Sequence, residues 1–364
     1  MPSLYEIALT LIPGVGVVTA RNLLEHYGDA GSVFKATHSS LIRIPGIGAR
    51  TASHILSREC QERAEHELAF VEKYHIKTLF FTSDDYPRRL RNCYDAPVLL
   101  YYKGNADLNA SKIISIVGTR NATSYGKEIT EQLIKDLSMP GILIVSGLAY
   151  GIDAAAHRGA LKYDVPTVGV VGHGLDRIYP SQHRSLAEKM LSKGGILTEF
   201  PSGTKPDREN FPRRNRIVAG LADATLVVEA AVNGGALITA DLANSYNRDV
   251  FAFPGRINDR YSGGCNYLIK SNGAQLVTEA NDILEMMEWK RPEDANVRKQ
   301  LSLDLVLSKE EQQLVEILKQ QEKVPVDELS RALDIPISKL SATLLSLEMQ
   351  GIIVTLPGKL YSLV

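Results

Sequence analysis

From about residue 112 the chain alternates short apolar runs with stretches of helical period. The runs "KIISIV" (112–117), "ILIVS" (142–146), "PTVGVVG" (166–172), "GILTE" (195–199), "ATLVVEA" (224–230) and "DVFAFP" (249–254) are β-rich and end in glycine, proline or polar residues. Between them, 124–138, 151–162, 181–193, 213–221 and 235–246 carry the spacing of crossover helices. Strand and helix in strict alternation predict a doubly wound α/β sheet. Two further strand candidates, around "IKTLFF" and "VLLYYKG" within 70–110, would extend that sheet or cover its edge.

The flanks read differently. "LIPGVGVVTARNLL" (11–24) and "RIPGIGARTASHIL" (43–56) are near-repeats, each placing an apolar residue, Pro, Gly, an apolar residue and Gly ahead of an apolar-periodic helix, with Ala20 and Ala52 in equivalent places. That is a helix-hairpin-helix pattern. Its glycines let a turn present backbone N–H groups at a helix start, which can hold one phosphate; a bundle whose hairpins only pack has the same pattern. At the other end "WKRPEDANVRKQ" (289–300) is a polar linker pattern. Three helix candidates (308–320, 325–333, 336–349) and the hairpin-like "GIIVTLPGKLYSLV" follow, which together describe a winged helix. The expected organisation is a helical helix-hairpin-helix (SAM-like) domain over 1–66, an extended Rossmann-like domain over 67–288, a linker over 289–305 and a winged helix over 306–364.

Composition removes several function classes. In 364 residues, 41 Lys and Arg oppose 42 Asp and Glu, a net charge of −1, so nucleic-acid binding has to come from a local basic patch. Cys60, Cys93 and Cys265 lie far apart without a Cys-x-x-Cys pair, against a disulfide framework or a structural zinc site. The start "MPSLYEIALT" has no leader pattern and no run approaches eighteen apolar residues, so a cytoplasmic protein without a membrane partner is expected.

In an open α/β sheet the ligand lies outside the carboxyl ends of the strands. Gly118, Gly147, Gly172, Gly174, Gly234 and Gly235 all fall at strand exits, where they let a backbone approach a ligand. The first exit reads Gly-Thr-Arg rather than Gly-x-Gly-x-x-Gly, the Gly-x-Gly at 172–174 runs into Tyr179-Pro180, and no Walker motif occurs. No nucleotide cofactor is expected. Ser146, Asp153 and His157, or His173, Asp176 and His183, could suggest hydrolysis, but "VSGLA" lacks the nucleophile elbow and the histidines read as packed side chains. No metal-ligand spacing occurs either.

The long fourth exit, "TEFPSGTKPDRENFPRRNR" (198–216), is the informative one. From 205 onward, Lys205, Arg208, Arg213, Arg214 and Arg216 face only Asp207 and Glu209, with Phe211 among them. The arginines fall at a helix start, where the macrodipole is already positive, so an external anion is implied. Arg120 would approach from the first exit, expected one strand away. Cations with an interleaved aromatic ring are what single-stranded nucleic acid requires. The competing reading bridges the arginines to Glu199, Asp223 and Glu229; for Arg216 alone the two readings are equal.

Taken in order, "SIVGTR", "VSGLAYGIDAAAH", "GHGLDRIYP", "TEFPSGTKPDRENFPRRNRIVAGLADATLVVEA", "GGALITADLA", "FAFPG" and "GCNYLIKSNGA" resemble the DNA-processing protein A (DprA/Smf) family over about residues 70–280. The resemblance implies an extended Rossmann fold, single-stranded DNA binding, and a recombination mediator without catalytic reaction or cofactor. Such a protein protects incoming strands, loads a RecA-type recombinase during natural transformation, displaces or works beside the single-strand-binding protein and acts as a homodimer. By position, the family's pocket falls on Arg120, Arg208 and the base-stacker Phe211, and "FPRRNR" completes the wall. The full expected interface is Arg120, Lys205, Arg208, Phe211, Arg213, Arg214, Asn215 and Arg216 with Gly118, Gly147, Gly234 and Gly235. The chain departs from the family pattern at Asn247, where Gly is usual, and at His183, where Asn is frequent; Asn tolerates positive φ, so the turn at 247 is expected to survive. The winged-helix region holds six basic against eight acidic residues, a net of −2, and its recognition helix one Lys and one Glu, which favours a protein-contact or accessory role. The alternative function is a nucleotide-binding enzyme or sensor of the nucleoside-monophosphate hydrolase type. Its Pro-Gly-Gly-x-Gly-Thr-x-x-Glu loop is replaced here by "AAVNGGALITA", with Ala236 and Asp241 where Gly and Glu are wanted.

Overall fold

The structure is a computed structural model that describes residues 3–57, 59–289, 308–320, 324–333, 335–349, 352–356 and 360–363. The chain divides into two units, one up to residue 290 and one from 291.

The first unit begins with helices α1 (Leu4–Leu11), α2 (Val17–Tyr27), α3 (Ala30–Lys35), α4 (His38–Leu41), α5 (Ala49–Leu56) and α6 (Glu59–Lys73). The near-repeat is a structural repeat. Gly14 and Gly46 take φ of 81° and 86° in the two hairpin turns, which a side chain disfavours. A Cβ on Gly14 would lie 3.6 Å from Thr51 Oγ1, and one on Gly46 would lie 4.0 Å from Thr19 Oγ1, so each turn sits against the other repeat's helix.

Helix α6 runs through the 66/67 boundary expected from the sequence. It leads into β1 (Lys77–Phe80), then α7 (Arg88–Arg91) and β2 (Leu99–Gly104). Ile7, Leu23, Val33, Leu41 and Ile55 share one core with Phe80, Val98, Leu99 and Tyr101. The helical region is therefore built onto the outer face of the first two strands.

The remaining elements alternate: β3 (Lys112–Val117), α8 (Ser124–Asp136), β4 (Ile142–Ser146), α9 (Ile152–Lys162), β5 (Thr167–Val170), a 3-10 turn (Ser181–His183) with α10 (Arg184–Met190), β6 (Gly194–Thr198), α11 (Asn210–Leu221), β7 (Ala224–Val227), α12 (Gly235–Ser245), β8 (Asp249–Ala252), α13 (Gly263–Lys270), β9 (Gln275–Leu276) and α14 (Ala280–Met286). The sheet order is β1-β2-β6-β5-β4-β3-β7-β8-β9. Strands β3 to β9 pair in parallel, while β1 and β2 extend the sheet antiparallel beyond β6. The strands read as continuous apolar runs because both faces are covered. Ile113 and Val117 point to a core with Ile217 of α11 and Ala240 of α12; Ile114 and Ile116 point to one with Leu133 of α8 and Ala156 of α9.

One expectation is corrected. β6 lies three strands from β3, with β5 and β4 between, not one neighbour away. The chain fills β4, β5 and β6 outward from β3, and only the long 199–223 connection brings it back to β7 on the other side. The topological switch, where the ligand crevice of such a sheet opens, therefore falls between β3 and β7. Asn247 adopts φ 54°, so the turn does survive without glycine.

The second unit contains α15 (Lys309–Gln320), β10 (Val324–Pro325), α16 (Val326–Leu333), α17 (Ile337–Met349), β11 (Ile353–Leu356) and β12 (Leu360–Leu363), its strands ordered β10-β12-β11. Leu314, Leu329, Leu340, Leu344 and Ile353 form its core, and the arrangement is a winged helix. The expected linker, Trp289 apart, and the Pro357-Gly358 turn lie outside the described residues. Among the described residues no helix is long and apolar enough to cross a membrane.

Candidate nucleic-acid interface

A cleft of about 730 Å³ opens at the switch point. Gly118 and Arg120 reach it from the end of β3, Gly147 from the end of β4, Arg208, Phe211, Arg214 and Asn215 from the long loop and α11, and Gly234 and Gly235 from the start of α12. The glycines serve two ends. A Cβ on Gly147 would fall 1.8 Å from Arg214 Nη1 and 2.3 Å from Asp153 Oδ2, so its absence makes room for two buried side chains of opposite charge. A Cβ on Gly235 would meet nothing within 4 Å; that backbone is open to an approaching ligand, at a helix start without a side-chain cap.

The arginines of "FPRRNR" separate by helical periodicity. At 3.6 residues per turn, Phe211, Arg214 and Asn215 share one face of α11, and Arg213 and Arg216 take the opposite one. Arg216 is paired with Glu199 and donates to the Asp95 carbonyl oxygen, with only 12% of its side chain exposed. Arg213 is exposed, 3.8 Å from Glu199 and over the ring of Phe200. Arg213 and Arg216 thus leave the expected cleft lining, and so does exposed Lys205, whose carbonyl accepts from Asn210 Nδ2. Arg216 is thus bridged in this structure, as the competing reading expects. Asp223 pairs instead with Arg89, and Glu229 accepts from the Thr123 N–H and hydroxyl at the start of α8.

What remains at the cleft is a graded set of cations. Arg120 is exposed, with its guanidinium carbon 5.5 Å from the centroid of the Phe211 ring, a cation–π distance. Arg208 is exposed at the rim. Arg214 is 6% exposed, donates from Nη1 to the Val170 carbonyl at 2.8 Å, and leaves Nε unpartnered. Burial holds the Arg214 pKa below its ordinary value and pushes the Asp153 carboxyl up; each charge opposes the shift of the other.

The residues weighed for hydrolysis are committed elsewhere. Ser146 Oγ donates to the Ile116 carbonyl. His157 bonds the Thr167 hydroxyl and the Gly147 carbonyl, and burial pushes its pKa down to about 4.

Three features escape the sequence reading. The Arg63–Glu67 pair of α6 grips the start of the basic loop: buried Glu67 accepts from Ser202 N–H at 2.8 Å and Ser202 Oγ at 2.6 Å, and Arg63 donates to the Ser202 carbonyl at 2.6 Å. Asp176 accepts from Gly203 N–H next to it. Tyr150 and Tyr179 bring two more rings to the strand exits. The tyrosines are visible in "GLAYGID" and "RIYP", but an i, i+4 ion pair on a distant helix carries no signal of its target.

Known proteins match this chain along its length. The DNA recombination-mediator protein A family matches residues 77–288, a DprA winged helix domain matches 302–359, and a SAM-like helix-hairpin-helix tandem matches 6–60. Protein Smf of Synechocystis is 40% identical over 287 residues, covering 77% of this chain and 71% of its own. The X-ray structure of DNA processing protein A from Streptococcus pneumoniae superposes with a TM-score of 0.65 at 34% identity, over 78% of this chain and 98% of that one. The Helicobacter pylori DNA processing protein A, described for its single-stranded DNA binding mode, gives 0.53 at 30% identity over 58% and 95%. With the fold, the flanking domains and the match over more than half its length in agreement, the chain belongs to the DNA recombination-mediator protein A (DprA/Smf) family.

Proposed function

We propose that the switch-point cleft binds single-stranded DNA and that the protein is a recombination mediator without chemistry of its own. The observation that carries this reading is Arg120 held over Phe211 at the cleft mouth, with Arg208 at the rim and the open Gly235 backbone opposite. A ring to stack on a base and cations to follow phosphates are the two parts single-strand binding needs. The Helicobacter pylori relative supports the ligand. On this reading the protein shields incoming strands and hands them to a RecA-type recombinase during natural transformation. It does so as a cytoplasmic homodimer, beside the single-strand-binding protein.

Fluorescence anisotropy with labelled oligo-dT tests the ligand. Arg120→Ala and Phe211→Ala each weaken binding at unchanged thermal midpoint, and log K against log salt falls with a slope of about −0.7 per phosphate neutralised. Wild-type affinity in both variants would refute the cleft. A thermal-shift screen separates the alternative: stabilisation by mononucleotides and not by oligonucleotides would assign the cleft to a nucleotide enzyme or sensor.

A further inference from the structure

Beyond β6 from the switch point, a groove of about 460 Å³ lies between Lys103 of β2 and helix α10. Its floor is aliphatic, made by Leu175, Ile178, Ala187, Leu191 and Ile196. Leu175 packs both on the core of the helical region and on Leu186 and Met190 of α10, so the groove follows the seam between those two layers. Its volume falls within the roughly 300–1,000 Å³ of clefts that hold small ligands or a few side chains of a partner.

The charges around it select the occupant. Asp176 and Arg177 pair at 2.7 Å, and Glu188 and Arg184 pair at 3.2 Å, so these four offset one another. Lys103 is left over. It is half-buried, has no ion pair among the described residues, and places Nζ 5.7 Å from the centroid of the Tyr74 ring. Lys73, in the last turn of α6, brings a second ammonium group 5.4 Å from the same ring and likewise has no ion pair among the described residues. One end of an aliphatic groove therefore carries two ammonium groups without a paired carboxylate. Single-stranded nucleic acid needs rings along its path to stack the bases, and this floor has none. Aliphatic side chains flanked by carboxylates fit both the floor and the lysines.

We propose that this groove docks a linear acidic peptide of a partner protein, its apolar side chains filling the floor and its carboxylates meeting Lys103 and Lys73. The site does not depend on what the switch-point cleft binds. It is nevertheless connected to that cleft: Arg177 and Ile178 lead directly into Tyr179 at the strand exits, and Asp176 holds Gly203 of the basic loop. A partner docked here is brought beside the cleft while Arg120 and Phe211 stay free, since neither lines the groove.

Panning a phage-displayed library of random linear peptides on the full chain tests it. The enriched sequences are expected to set Asp or Glu beside apolar residues, and the leading one, made as a fluorescein-labelled peptide, to bind with an affinity that falls as salt rises. Lys103→Glu and Leu191→Asp each weaken that peptide about tenfold or more. Lys103→Gln, which removes the charge at similar size, replaces Lys103→Glu if that variant does not fold. Oligo-dT affinity in the Lys103 variants stays at the wild-type value, and peptide and oligo-dT bind together. A library that yields no binder, yields basic or uncharged sequences, or yields acidic ones that bind the Lys103 and Leu191 variants as tightly as wild type overturns the groove. Displacement of the peptide by oligo-dT, with oligo-dT weakened in the Lys103 variants, overturns the peptide and makes the groove part of the strand's path. The cleft itself stands or falls separately, on Arg120→Ala and Phe211→Ala.

Discussion

Arg208 and Arg216 are eight residues apart in one basic stretch and do opposite things. Arg216 is enclosed with Glu199, whose Oε1 has no partner, and with Asp95. Removing the guanidinium leaves the buried carboxylate with only exposed Arg213 at 3.8 Å, and breaking such a buried pair typically costs about 3–5 kcal/mol. Arg216→Ala is therefore expected to lower the urea midpoint sharply while its folded fraction binds oligo-dT normally. Arg208 is exposed and without an ion pair among the described residues, so Arg208→Ala should keep the stability within about 0.5 kcal/mol of wild type. It should weaken binding and make the salt slope shallower by about 0.7. Urea melts and anisotropy across a salt series separate the two; an Arg216→Ala protein of normal stability and poor binding would return that side chain to the cleft.

At the scale of elements, β3 to β8 were legible because each is an apolar run largely buried on both faces, and their exits could be read for ligands without knowing their order; β9, the exposed Gln275–Leu276, carries no such signal. The order itself was not legible. Nothing in "GILTE" says that β6 pairs with antiparallel β2 and lies three strands from β3. Helix α11 begins at Asn210, three residues earlier than the periodicity suggested, because Pro212 is tolerated in a first turn. That start fixes the phase that turns Phe211 and Arg214 inward and Arg213 and Arg216 away. The basic loop depends on another element altogether, since Ser202 is gripped by the Arg63–Glu67 pair of α6. With Glu67→Ala the Ser202 N–H and hydroxyl lose their acceptor and the loop gains freedom that binding must then remove. Oligo-dT affinity should fall about tenfold, and limited trypsin digestion should cut after Arg208 faster. Glu67→Gln, which keeps an acceptor oxygen, should fall between. A loop no more susceptible to trypsin in Glu67→Ala would show that Arg63, Asp176 and the chain ends suffice to hold it.

The whole molecule is joined unevenly. The helical region up to α6 closes one core with the outer face of β1 and β2, where Phe80, Val98, Leu99 and Tyr101 are at most 5% exposed. Burying a large apolar side chain is worth about 1.5–3 kcal/mol, so uncovering these four forfeits an amount comparable with the entire stability of a typical domain. A cut at 66/67 also divides α6 and takes Arg63 from its partner Glu67. The winged helix has its own core around Leu314, Leu329 and Leu344, and its acidic excess gives it little to offer a phosphate backbone. Two truncations should therefore behave in opposite ways. A chain ending at residue 289 is expected to melt in one cooperative calorimetric transition and to bind oligo-dT within about twofold of the full chain, with the same salt slope. A chain covering 67–289 is expected to be recovered aggregated or without a cooperative transition, because its exposed β1–β2 face is a large apolar patch. A soluble 67–289 fragment with a sharp melt would mean that the helical region is an addition to the sheet and not part of its core; a loss of affinity on ending the chain at 289 would place phosphate contacts in the winged helix despite its charge.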